Sequence, residues 1–188
     1  MANISKNKKI AIILPDLSVI GGQRYALKAA ENLIVRGYYV HILVFYKEGG
    51  FLCEAPMDNI FSFTPVIFRK IRVINVIESL FYLCKKLRSE KYDAVLSITP
   101  FFNRVLCLFK LLKLIKEKLV IEEHAYPPVS FKDEFGSFAA RLYKFSEFLY
   151  NYCDLIRVQT QDAYEYYYDI LHKKEKIKFF PSLHDLSF

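Results

Sequence analysis

Short apolar runs that stop at a proline alternate along this chain with longer stretches whose apolar residues recur every three or four positions, and that alternation restricts the fold more than any single motif. Residues 10–14 are an unbroken aliphatic run ended by Pro15, the pattern of a strand buried on both faces. Over 22–36, Ala26, Ala29, Ala30, Leu33 and Ile34 share one helical face, and Gly37 stands where a left-handed C-terminal cap belongs. Further strands are expected at 40–46, 59–64, 94–99, 119–122, 155–159 and 177–180. Between them, helices are marked by Val73, Ile77, Leu80, Cys84 and Leu87, by Val105, Leu108, Leu112 and Ile115 within 104–118, by Phe138, Leu142, Phe145, Leu149 and Tyr152, and by 162–171. Pro15, Pro65, Pro100, Pro127 and Pro181 each lie just past an expected strand, where no ladder N–H is required. The reading is an α/β fold: a doubly wound, mostly parallel sheet of about seven strands with helices on both faces. Such sheets receive ligands outside the carboxyl ends of their strands, which directs attention to the loops starting at Pro15, Tyr46, Pro100, Glu123 and Thr160.

A chain of 188 residues, 53% hydrophobic and 25% charged, is neither disordered nor fibrous. Cys53, Cys84, Cys107 and Cys153 stand more than twenty positions apart, so no metal and no redox pair is expected, and they read as apolar thiols in a reducing compartment. Residues 1–8 form a basic tail expected to be flexible. The five apolar residues that follow are too few for a signal-peptide core, and no apolar run reaches the ~18 residues that span a bilayer. These features predict a cytoplasmic protein. The formal charge of +7 favours an anionic partner without naming it.

Two loops hold chemistry. After the first strand, Asp16, Gly21, Gly22 and Arg24 stand at the mouth of a helix, where free N–H groups and the helix dipole receive a phosphate or carboxylate. A plain strand-to-helix turn uses the same residues. The dinucleotide fingerprint Gly-x-Gly-x-x-Gly is missing, which disfavours a nicotinamide enzyme. At the end of the fifth strand, Glu122-Glu123-His124-Ala125-Tyr126 sets an imidazole toward the crevice, able to hydrogen-bond a sugar or phosphate or to exchange a proton. The adjacent glutamates point to opposite faces of a strand and do not form a carboxylate dyad. Asn103 is a crevice candidate by position. Lys110, Lys113 and Lys116 give the helix over 104–118 either an interfacial or a simply solvated face. The tyrosines 164, 166, 167 and 168 beside Lys173 and Lys174 lack any RNA-binding module around them, so a helix wall is expected and nucleic acid is not.

The order of these features resembles the N-terminal half of GT-B fold glycosyltransferases, in particular the family 4 class of retaining, sugar-nucleotide-dependent enzymes. The resemblance runs over residues 9–188 through Lys9-Ile10-Ala11-Ile12-Ile13, Gly21-Gly22-Gln23-Arg24, Gly37, Lys91-Tyr92-Asp93-Ala94-Val95, the His124 loop, 153–160 and 176–181. The chain departs from that pattern at Tyr38, where the family usually has His, and at Pro181-Ser182-Leu183-His184-Asp185, where a Pro-Asn-Gly-x-Asp hinge is usual.

The resemblance implies a single Rossmann-like domain over 9–188, without the C-terminal donor domain that carries Glu-x7-Glu. It implies transfer of a sugar from a nucleotide-sugar co-substrate to a lipid-linked or saccharide acceptor in cell-surface glycan synthesis, with no other cofactor. Gly21 and Gly22 approach the donor phosphate, His124 is the catalytic residue, and Asp16, Arg24, Asn103 and Tyr126 are candidates for the acceptor. The lone chain is expected to be inactive. The alternative is a non-catalytic subunit of a split glycosyltransferase, with a donor-domain partner chain and peripheral docking on the inner membrane face.

Overall fold

A computed structural model describes residues 8–53, 59–63, 72–124 and 145–180. Its strands are β1 (Lys9–Leu14), β2 (Tyr39–Val44), β3 (Ile60–Ser62), β4 (Ala94–Ser97), β5 (Lys118–Glu123), β6 (Leu155–Val158) and β7 (Ile177–Phe179). The helices are α1 (Gly21–Val35), α2 (Arg72–Glu90), α3 (Pro100–Leu111) and α4 (Gln161–Ile170). The seven strands form one parallel sheet in the order β3-β2-β1-β4-β5-β6-β7, a Rossmann-like α/β fold whose strand order reverses between β1 and β4. Two compact units make it up: residues 1–97 with 114–118, and residues 98–113 with 119–188.

In the first unit, β1 pairs with β2 on one side and β4 on the other, Ile12 lying opposite Ile42 and Leu96. Ala11, Ile12, Ile13 and Leu14 have no exposed surface, as a central strand covered on both faces requires. Helix α1 ends in a Schellman motif: Gly37, at φ +86°, donates to the Ile34 carbonyl and Tyr38 to that of Leu33. Its buried stripe is Gln23, Ala26, Leu27 and Ala30, so Ile34 falls at the edge of solvent. In α2 two overlapping three-four stripes compete. The one that wins carries Ser79, Leu83 and Leu87 into the core and turns Ile77 outward. Lys9 and Lys86 both pair with Glu90, holding its carboxyl at about 2, and the Tyr92 hydroxyl meets His41 Nδ1 at 2.8 Å.

In the second unit the expected helix over 104–118 is displaced. Helix α3 opens at Pro100, whose missing N–H suits a first helical position, and stops at Leu111 ahead of Lys113, at φ +57°. Its buried face includes the polar pair Asn103 and Arg104 together with Phe102, Leu106 and Cys107, so Leu108 and Leu112 lie outside. The stripe ending in Leu149 and Tyr152 also changes. Ser146–Tyr152 winds as a 3-10 helix, and its period of three buries Glu147, Tyr150 and Cys153; Leu149 is buried as expected, while Phe145 and Tyr152 face solvent. The rest of that expected helix, with Tyr126, Pro65, Pro127 and Pro181, lies outside the described residues. Cys84, Cys107 and Cys153 are free thiols, Cys84 half-buried and the other two buried.

Candidate functional site

The candidates fall into two groups, each held within its own unit. In the first unit the β1–α1 loop is shaped by Asp16, whose Oδ1 accepts from the Ser18 amide at 2.8 Å and from Gln23 Nε2 at 3.3 Å. Asp16 thereby fixes the turn that presents Gly21. Helix α1 begins at Gly21 with no side chain capping it and no acidic residue in its first turn, so protein side chains leave its N-terminal dipole unanswered. A Cβ at Gly21 would meet nothing within 4 Å.

A second loop, 45–51, is zipped onto the first. The Tyr46 amide donates to the Pro15 carbonyl at 2.8 Å, Leu17 to Glu48 at 2.8 Å, and Phe51 to Leu17 at 3.0 Å. Gly49, at φ +122°, passes so close that a Cβ there would lie 2.2 Å from the Leu17 carbonyl carbon and oxygen. The ring of Phe51 is buried by this arrangement, and the Arg24 guanidinium stacks over it, 5.5 Å from the centroid. Sequence reading passed over Gly49 and Gly50, because a glycine pair in a loop looks the same whether it serves flexibility or close approach.

In the second unit, β5 sends its two glutamates to opposite faces, as strand geometry demands. Glu123 is buried against α3 and the 3-10 helix, accepting from Asn103 Nδ2 at 2.9 Å and from the Tyr150 hydroxyl. Asn103 also donates to the Glu122 carbonyl at 3.0 Å and has no exposed surface. Its role is to tie α3 to β5. Arg104 completes the cluster, donating to Tyr150 Oη at 2.7 Å, to Ser146 Oγ at 2.8 Å and to the Pro100 carbonyl at 3.0 Å. Burial raises the Glu123 carboxyl above its usual range, against the opposing pull of Tyr150, Asn103 and Arg104.

On the other face, Glu122 has no exposed surface and accepts from Gln159 Nε2 at 3.0 Å and from Arg157 Nη1 at 3.4 Å. His124, half-buried at the carboxyl end of β5, is hydrogen-bonded by Gln159. Burial lowers its imidazole below the ordinary value of 6.5, the Glu122 charge and the Gln159 bond working against that and Arg157 with it. The ring is therefore neutral at pH 7 and able to take a proton or share one with a hydroxyl.

The lysine stripe expected on the helix over 104–118 does not form. Lys110 pairs with Asp154 at 2.8 Å, and Lys113 and Lys116 lie beyond the end of α3. The tyrosines of α4 split. Tyr167 is buried and stacks on Tyr150, Tyr166 donates to Glu147 at 2.7 Å, and Tyr164 stacks on Tyr168. Among the described residues no group of His, Cys, Asp or Glu is placed to hold a metal, and no helix is long and apolar enough to cross a membrane.

No family model matches the chain, and no curated protein matches its sequence. Solved structures share its fold. Sucrose-phosphate synthase from Thermosynechococcus elongatus is 12% identical with a TM-score of 0.64, over 93% of this chain and 48% of that one. Alr3699/HepE of Anabaena, in a structure with UDP and glucose, is 13% identical with a TM-score of 0.65, over 93% and 44%. WaaG, a glycosyltransferase involved in lipopolysaccharide biosynthesis, is 15% identical with a TM-score of 0.59, over 92% and 44%. The chain thus spans less than half the length of each of these three. At such identities the likeness establishes the fold, which is the one found in GT-B glycosyltransferases.

Proposed function

We propose that this chain is the acceptor-side domain of a retaining, family 4 type glycosyltransferase, which moves a hexose from a nucleotide sugar to a lipid-linked or saccharide acceptor in cell-surface glycan synthesis. The observation that carries the reading is His124, a neutral imidazole at the carboxyl end of β5, hydrogen-bonded with Gln159, whose amide is bound in turn by the buried Glu122 carboxylate. The open, acid-free start of α1 at Gly21 supports it separately, as a place for a phosphate. In this reading His124 hydrogen-bonds the transferring sugar, while the donor diphosphate assists deprotonation of the acceptor. Gly21 and Gly22 face the donor, no metal or further cofactor takes part, and a donor-binding domain comes from the same gene or from a partner chain. The test is to express the complete reading frame and assay it on a panel of nucleotide sugars with lipid-linked and saccharide acceptors. Sugar transfer is expected, and His124→Ala is expected to lower turnover about 100-fold or more with an unchanged circular dichroism spectrum. Full activity in that variant, or turnover by the 188-residue chain without a partner, overturns the reading.

One surface favours a membrane-docking element within it. Ile77, Phe81 and Tyr82 are exposed on α2, at 63%, 68% and 45%, and Lys85 and Arg88 continue the same outward side. Apolar side chains beside cations suit the anionic inner face of a membrane, a role that the paired Lys110 does not fit. Cosedimentation with vesicles containing phosphatidylglycerol is expected, weakened several-fold by Phe81→Ser or Lys85→Glu and lost on pure phosphatidylcholine. Equal binding by all three proteins, or none, removes α2 from this role.

A further inference from the structure

We infer that Glu122 is a positioning residue for His124, acting through Gln159, an inference that rests on the reading of His124 as the acting group. The arrangement follows from strand arithmetic. Strands β5 and β6 run parallel with Glu122 opposite Arg157 and Glu123 opposite Val158, so one more step along each chain brings His124 level with Gln159. A period of two then puts residues 122 and 124 on one face of β5, and 157 and 159 on the same face of β6. These four side chains therefore share one patch, on the face opposite the Glu123 cluster.

The chain of bonds has a direction. Gln159 Nε2 donates to Glu122 Oε1 at 3.0 Å. That fixes which way the amide is turned, because a carboxylate accepts and never attracts the carbonyl end. The Gln159 carbonyl is then presented to the imidazole as an acceptor for a ring N–H, and it is an acceptor there that favours the protonated ring, as Gln159 does. The tautomer and ring orientation of His124 are set by an amide whose own orientation is set by Glu122.

A simple strand-to-strand ion pair does not account for this geometry. Arg157 Nη1 stands 3.4 Å from Glu122 Oε2, while its guanidinium stacks over the Phe180 ring at 4.6 Å. At 3.4 Å that contact is longer than a strong charge-assisted bond. Here the shorter bond from the buried carboxylate goes to the amide that holds the histidine. Among the described residues, the charged groups acting on His124 are Glu122 from β5 and Arg157 from β6, and they push the ring in opposite senses.

The experiment is an NMR titration of the histidine ring signals in the 188-residue chain, with His124 assigned by His124→Ala and His41 as internal reference. Glu122→Gln keeps the shape and removes the charge, and the His124 midpoint is expected to fall by about one pH unit. Gln159→Leu is expected to move it the same way by removing the ring's acceptor. Arg157→Met is expected to raise it. Glu122→Asp, which restores the charge, is expected to return the midpoint at least halfway. The inference fails if Glu122→Gln leaves His124 unmoved, if Gln159→Leu and Arg157→Met shift it in the same direction, or if His41 moves as far as His124. Lost turnover in His124→Ala combined with unmoved midpoints would sink this inference alone. The reverse pattern would sink only the role of His124 in transfer.

Discussion

Gly49→Ala is expected to lower stability by about 3 kcal/mol or more, read as a urea midpoint reduced by about 1 M or more. The methyl group would have to occupy space 2.2 Å from the Leu17 carbonyl carbon and oxygen, and those atoms are main chain, with no rotamer to escape into. The backbone at Gly49 has φ +122°, a conformation that L side chains rarely adopt. Relief requires the 45–51 loop to lift away, and main-chain hydrogen bonds hold it: Phe45 to Leu14, Tyr46 to Pro15, Leu17 to Glu48 and Phe51 to Leu17. Gly37→Ala makes the informative comparison, since φ is +86° there but a Cβ meets nothing within 4 Å; its cost is expected at about 1 kcal/mol. A Gly49→Ala protein as stable as Gly37→Ala would show that the two loops are not locked together. Because the same contacts shape the turn leading to Gly21, the Gly49 variant is also expected to expose Phe51 and to unstack Arg24.

Arg104→Met is the second large effect, expected to cost about 3–5 kcal/mol at neutral pH. The guanidinium is 7% exposed and donates to Tyr150, Ser146 and the Pro100 carbonyl while its charge faces Glu123. Methionine fills most of the volume and answers none of those acceptors. The pH dependence is distinctive. Burial already holds the Glu123 carboxyl above its ordinary value of 4.5 in the folded protein, so the stability linked to it is fully present below about 4.5 and is lost as pH rises through the folded value. Without Arg104 that folded value rises further, and the loss at neutral pH deepens. The deficit of Arg104→Met relative to the parent is therefore expected to be smallest near pH 4.5 and to grow toward pH 7, by chemical denaturation at each pH. Adding Glu123→Gln to Arg104→Met is expected to recover part of the loss and flatten that slope. A deficit independent of pH, or a double variant worse than the sum of its parts, contradicts this account of the cluster.

The sheet was legible because its signals are local. Aliphatic runs such as 10–14, each stopped by a proline, need no tertiary information to be read as strands, and Gly37 announces its own helix end. Helix faces were less legible. In α2 both Ile77 and Leu83 sit at allowed spacings, and only packing decides that Leu83 goes inward. In α3 the decision depends on a polar partner: Asn103 and Arg104 are buried because Glu123, Tyr150 and Ser146 receive them, and no helical periodicity encodes partners that lie 20 to 46 residues away. The winding at Ser146–Tyr152 changed from 3.6 to three residues per turn, which turned Phe145 and Tyr152 out to solvent while Leu149 stayed inside. The opposite orientation of Glu122 and Glu123 was readable from strand period. The alignment of His124 with Gln159 required the register between β5 and β6, which a single sequence does not print.

The outermost strands of the sheet have a consequence for the protein in a crowded cell. β3 and β7 are three residues each, whereas β1, β2 and β5 run to six. An open sheet presents unpaired amides and carbonyls along its margins, a template on which other chains can polymerise. Here each margin offers little length to copy, and β7 adds the exposed Lys178 at its centre. Lengthening either margin, or removing its charge by an apolar substitution at Lys178, would favour pairing with other chains there. A chain more than half apolar thus keeps its most adhesive strands in the middle.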